Sequence, residues 1–161
     1  MSNRDHLELR ALDPVSQCLI RRLMVTRVYF DAPWPGLPGR NVDVLAIDRD
    51  GVGDVHIIEV KRYAPEAIKQ LPSLVAASAP FRWIAFMKGT EDAETMQALA
   101  TQAPLFAKSS AGRIGVIEIV TMEAGDLGAN VKISAERFPD RMYDVAKRFS
   151  DSHKANIQFG E

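Results

Sequence analysis

Three features of the chain predict a single α/β domain with a mixed central β-sheet. Two runs rich in β-branched residues, Val42–Asp48 and Val55–Lys61, flank Arg49-Asp50-Gly51-Val52-Gly53-Asp54, a connection suited to an antiparallel hairpin. A nearly continuous apolar run, Phe81–Met87, has the composition of a central strand covered on both faces. Helical patterns stand before, between and after these runs, and no repeat, low-complexity stretch or long linker divides them. The expected order is helix, three strands, helix, strand, helix, two strands, helix, over residues 1–150, with a polar tail over 151–161.

Each element follows from local signals. Asp13-Pro14 reads as a helix start, with Asp13 as N-cap, Pro14 in the first turn and Val15, Leu19, Ile20 and Leu23 at helical spacing up to Met24. A turn or short helix over Asp5–Leu12 precedes it. Val25–Phe30 is β-branched and aromatic and predicts the first strand; the three prolines and two glycines of Asp31–Gly39 then predict an irregular loop. With the hairpin this strand makes a three-stranded meander. Pro65 opens a helical segment over Glu66–Ala77, which Pro72 must kink or divide. Glu91–Gln102, with Met96, Leu99 and Ala100 on one stripe, predicts the next helix. Ile114–Met122 predicts a strand, Ala124–Gly128 a turn, Val131–Ala135 a short polar strand at an edge, and Pro139–Phe149 a closing helix. The tail from Ser150 reads as loose.

Composition narrows the function classes. The 161 residues are 47% apolar and 25% charged, which is ordinary for one globular domain. Twenty basic against twenty-one acidic side chains leave a net charge of -1, so any nucleic-acid face has to be local. No apolar stretch approaches the ~18 residues of a membrane helix, and the charged start does not resemble a secretory signal, so a cytoplasmic location is expected. Cys18 is the only cysteine and reads as a small buried hydrophobe on a helix. His6, His56 and His153 are scattered and share no helix face, which argues against a histidine metal site.

The candidate chemistry lies in the hairpin. Asp43 and Glu59 interrupt otherwise apolar strands, Asn41-Val-Asp-Val-Leu-Ala-Ile47 and His56-Ile-Ile-Glu-Val-Lys61. Strand alternation places Glu59 and Lys61 on one face, and hairpin pairing brings Asp43 beside Glu59. Burying such charges is costly, so they form either a mutually satisfied ion cluster or a hard-cation site. Two carboxylates suit Mg²⁺, which completes its shell with waters and substrate phosphate. The cation would polarise a phosphodiester and activate a water, with Lys61 orienting that water or stabilising transition-state charge.

The string Pro38-Gly-Arg-Asn-Val-Asp-Val-Leu-Ala-Ile-Asp48, the Gly-containing turn and Ile57-Ile-Glu-Val-Lys-Arg62 resemble the core of the PD-(D/E)xK, or restriction-endonuclease-like, nuclease superfamily. The sequence is similar in particular to its small Holliday-junction-resolvase-like and Mrr-like members. The resemblance spans residues 14 to 87 and implies a core of helix, three-stranded meander, helix and strand. It further implies that Asp43 and Glu59 are metal ligands with the Val60 carbonyl as a third, that Lys61 is the catalytic lysine, and that Gln70, nine residues on, lies near the substrate. A first-helix carboxylate often joins such sites, and Glu8 and Asp13 are the candidates. Val42 stands where the motif's variable proline would be.

Arg40 and Arg62 flank the motif as phosphate-binding candidates or as ordinary surface cations. Tyr63 and Trp34 could stack on bases, although packing under the Pro-rich loop is the favoured account of them. Phe81, Trp83 and Phe86 read as core; Glu118 reads as outward-facing or as a further site component. The expected function is a Mg²⁺- or Mn²⁺-dependent nuclease acting on DNA in preference to RNA, with a homodimer as the expected assembly. The alternatives are a catalytically silent nuclease-fold module for nucleic-acid binding or protein assembly, and an unrelated α/β domain with exposed hairpin charges.

Overall fold

The computed structural model describes residues 6–23, 25–33, 39–48, 55–63, 66–67, 69–77, 79–87, 112–138 and 157–158. A helix, α1 (His6–Leu23), precedes a meander of β1 (Val25–Pro33), β2 (Asn41–Asp48) and β3 (Val55–Lys61). A short helix, α2 (Leu71–Ala76), leads to β4 (Phe81–Met87); then come β5 (Gly115–Thr121), β6 (Leu127–Ile133) and a two-residue β7 (Ile157–Gln158). The sheet order is β6-β5-β4-β3-β2-β1-β7, with β3, β4 and β5 mutually parallel and the other neighbours antiparallel. The α/β class, the mixed sheet, the meander and the edge position of β6 agree with the sequence reading.

The continuous apolar runs of β3 and β4 are explained by two cores, one on each sheet face. Leu45, Ile47, Ile57, Ile84 and Phe86 pack with Leu71 and Leu74 of α2 and with Phe138. Val44, Ala46, Ile58, Val60, Trp83 and Ala85 pack with Ala11, Leu12, Val15, Cys18 and Leu19 of α1. Successive residues of one strand therefore enter opposite cores, and neither face of the central sheet favours polar side chains.

Four boundaries differ from expectation. First, α1 begins by His6 and carries Pro14 inside it, so Asp13 is not its N-cap. Pro14 removes the hydrogen bond to the Arg10 carbonyl at a cost of ~3 kcal/mol. Burial of Ala11, Leu12, Val15, Cys18 and Leu19, at ~0.8 kcal/mol per methylene, outweighs that loss. Second, β1 continues through Asp31, Ala32 and Pro33, with Asp31 in left-handed backbone at φ 52°. Third, Ala124 (φ 65°) and Gly125 (φ 80°) close the turn after β5 early, so β6 starts at Leu127. Fourth, Ile157–Gln158 of the tail pairs with β1. Pro72 divides the Glu66–Ala77 segment as expected and sits in the first turn of α2. Trp34 and the helices expected over Glu91–Gln102 and Pro139–Phe149 lie outside the described residues.

Candidate active site

The β2–β3 ladder runs from Ile47 opposite Val55 to Val44 opposite Ile58. Beyond that pair, side chains take over from backbone. The Val60 N–H donates to Asp43 Oδ2 at 2.7 Å, and the Asp43 N–H donates to Glu59 Oε1 at 3.3 Å. Each carboxylate is thus held by the backbone of the opposite strand. Asp43 and Glu59 are each only 5% exposed. Lys61, the last residue of β3, is half-buried and follows Glu59 on the same strand face.

Electrostatics follow from this crowding. Burial, reinforced by the charge of Asp43, pushes the Glu59 carboxyl up to about 8, against the opposing pull of Lys61, the Asp43 N–H and Arg40. Two carboxylates side by side in a dry setting disfavour a second negative charge unless a cation joins them.

Of the two helix-one candidates, Glu8 is the one that the fold brings to the end of β3. It lies in the first turn of α1, is buried, and its Oε1 accepts the Arg62 N–H at 3.1 Å, one residue past Lys61. Asp13 is exposed further along the helix. Arg40 is exposed, and its Nη1 donates to Ser73 Oγ on α2 at 2.8 Å. The Arg62 guanidinium stands 5.1 Å over the Tyr63 ring. Gln70 occupies the N-cap position of α2, half-buried, and its side chain makes no capping hydrogen bond.

Three further features lie outside the motif. Asp31 lies opposite Asp43, between the Phe30–Val44 and Ala32–Val42 pairs, and accepts the Asn41 Nδ2–H at 3.4 Å. Its left-handed backbone has no signature in the Asp-Ala-Pro sequence beyond the tolerance of Asp for that region. Ser73 carried no local signal, because its partner Arg40 is 33 residues away. Glu118 is buried rather than outward-facing. It lies opposite Phe86, whose other neighbour is Lys61, and pairs with Lys132 Nζ at 3.8 Å. A register slip in β6 at Lys132 accompanies that pair.

The donor chemistry fits a hard divalent cation. Asp43 and Glu59 supply carboxylate oxygens at one strand end, each carboxylate has a second oxygen besides the one holding a backbone N–H, and Mg²⁺ needs only one or two protein carboxylates. Among the described residues no three Asp, Glu, His or Cys side chains form a ready-made metal cage. Asp43 and Glu59 are the pair that would hold the ion, beside the Val60 peptide.

No protein-family model matches the chain, and no curated protein matches it. Three solved chains do. One is the SPO1766 protein of unknown function from Silicibacter pomeroyi, 15% identical, covering 91% of this chain and 82% of that one, with a TM-score of 0.54. That likeness shows a shared fold. Among the described residues no helix is long and apolar enough to cross a membrane.

Proposed function

We propose that the protein is a metal-dependent nuclease with a restriction-endonuclease-like core, hydrolysing phosphodiester bonds of DNA in preference to RNA. The observation that carries this reading is the convergence of two buried carboxylates, Asp43 and Glu59, with Lys61 at one end of the β2–β3 hairpin, while Glu8 secures the chain one residue later. The order of α1, meander, α2 and β4 supports it, because it is the order the superfamily resemblance implies.

Asp43 and Glu59 would hold Mg²⁺ or Mn²⁺ together with the Val60 carbonyl. When bound, the cation supplies Lewis acidity to the scissile phosphodiester and to the attacking water. Lys61 presents an ammonium to the same place, orienting the water and offsetting negative charge that develops on the phosphoryl oxygens. Arg40 and Arg62 hold neighbouring phosphates, and Gln70, at the start of α2, contacts the substrate. Water attacks phosphorus in line with the leaving oxygen, so the P–O ester bond breaks as the new one forms, without a covalent enzyme intermediate. The near-neutral net charge makes a second subunit useful for building a larger phosphate-binding face, and a cytoplasmic homodimer is the form we propose.

A silent module is the second reading. It is favoured by the backbone bonds that satisfy one oxygen of each carboxylate without a cation. Cleavage of single-stranded, duplex and branched DNA and of RNA, with Mg²⁺ or Mn²⁺, separates the two. Metal-dependent cutting that disappears in Lys61→Ala and Asp43→Ala is expected. Salt-sensitive binding that is indifferent to metal, with no cutting, would favour the module.

A further inference from the structure

Arg40 stands immediately before β2, where Gly39 turns the chain at φ 83°. A long exposed side chain at such a point ordinarily samples many rotamers, and ordering one carries an entropic cost. Here the guanidinium is tethered: Nη1 donates to Ser73 Oγ at 2.8 Å, linking the chain before β2 to the first turn of α2. Leu71 and Leu74 of α2 pack on the sheet face that carries Leu45 and Ile57, and strand alternation puts Asp43 and Glu59 on that same face. The tether therefore keeps a planar cation at the edge of the Asp43–Glu59 pair.

We propose that Ser73 is a positioning residue whose hydroxyl holds the Arg40 guanidinium at the mouth of the Asp43–Glu59 site, where it takes a phosphate of the nucleic-acid backbone. This rests on the nuclease reading and names a residue that reading does not contain. A guanidinium carries five N–H donors in a fixed fork that matches phosphate oxygens bidentately, and a hydroxyl acceptor at one corner restrains the plane of that fork. Serine suits this task because its short side chain accepts the bond without adding charge.

The test uses the full chain and its Ser73→Ala, Ser73→Thr, Arg40→Ala and Ser73→Ala/Arg40→Ala variants. Binding of a short DNA duplex and a short single strand is measured by fluorescence anisotropy in chelator over a salt series, and steady-state cleavage is measured with Mg²⁺. Ser73→Ala is expected to weaken binding and raise KM about three- to tenfold, with kcat held. Arg40→Ala is expected to weaken binding further and to lower the slope of log affinity against log salt by about one. Adding Ser73→Ala to Arg40→Ala is expected to change nothing more, and Ser73→Thr to restore binding. Wild-type binding by Ser73→Ala, or a Ser73→Ala loss that persists undiminished without Arg40, overturns the proposal while leaving cleavage intact. A wild-type chain that neither binds nor cuts nucleic acid overturns the nuclease reading and this proposal together.

Discussion

The Val60 N–H is bonded to the carboxylate of Asp43 at 2.7 Å, across two strands whose backbone ladder has already ended at Val44 and Ile58. A side chain stands where a carbonyl would continue the sheet. This holds Asp43 with the rigidity of a strand, and the reciprocal bond from the Asp43 N–H holds Glu59. Two carboxyl groups are thereby kept adjacent in a buried setting, an arrangement in which a second negative charge works against stability unless something positive joins it.

That tension gives a stability test without any cleavage assay. Glu59→Gln and Asp43→Asn each keep an oxygen to accept the backbone N–H but remove one charge. In chelator, Glu59→Gln is expected to raise the thermal midpoint at pH 8 by about 2–4 °C, corresponding to roughly 1 kcal/mol in a chain of this size. Mg²⁺ is expected to raise the wild-type midpoint by mass action and to leave both variants unmoved. An equal response of all three proteins to Mg²⁺ would make the pair a structural cluster.

Lys61→Ala separates chemistry from binding. As a half-buried cationic side chain at the end of β3, Lys61 is expected to contribute about 10²- to 10³-fold to the chemical step, the usual range for a group that stabilises transition-state charge. Single-turnover cleavage should fall by that factor while DNA affinity changes only a few-fold. Parallel losses in rate and affinity would reassign Lys61 to a phosphate contact.

Glu8 is expected to act on the backbone rather than on the ion. Its Oε1 accepts the Arg62 N–H at 3.1 Å, and an amide oxygen serves that purpose as well as a carboxylate. Glu8→Gln should therefore retain stability and most activity, whereas Glu8→Ala leaves the Arg62 N–H without this acceptor and should cost about 1–3 kcal/mol in urea unfolding. Abolished cleavage in a fully stable Glu8→Gln protein would instead make Glu8 part of the metal site.

The contrast between these residues shows what the sequence could convey. Strand β3 was legible to the residue, because Val55–Lys61 is a bounded β-branched run, and its embedded Glu59 and Lys61 drew attention as charges in apolar company. Pairing about the hairpin turn then placed Asp43 correctly, since register in a hairpin is a local property. Choosing Glu8 over Asp13 required the packing of α1 on the sheet, and a local Asp-Pro signal concealed that packing. The Ser73–Arg40 bond and the burial of Glu118 join segments distant in sequence, where no periodicity reports contact. The prolines that follow Asp31 predict a loop there, whereas the β1–β2 ladder carries the strand through its left-handed backbone to Pro33.

His56 gives the protein an acid-sensitive core independent of the hairpin carboxylates. It is buried, stacked on Phe81 with ring centroids 4.5 Å apart, and accepts the Trp83 indole N–H at its Nδ1, 3.1 Å away. Burial lowers its pKa from 6.5 to about 3. Between those values the unfolded chain binds a proton that the folded chain does not, so stability falls as pH drops, with a slope approaching about 1.4 kcal/mol per pH unit. Glu59 acts in the opposite sense. Its carboxyl is raised from 4.5 to about 8, so the metal-free folded state holds the extra proton over that window and loses stability as pH rises through it. The two slopes oppose each other between 4.5 and 6.5. In chelator these groups together therefore predict a plateau there, a His56 decline on the acid side and a Glu59 decline on the alkaline side. Urea midpoints across pH should show the acid decline reduced in His56→Gln, which keeps an acceptor for Trp83, and the alkaline decline reduced in Glu59→Gln. If His56→Gln loses stability in parallel with wild type below pH 4.5, the acid sensitivity belongs to other groups and His56 is not the sensor.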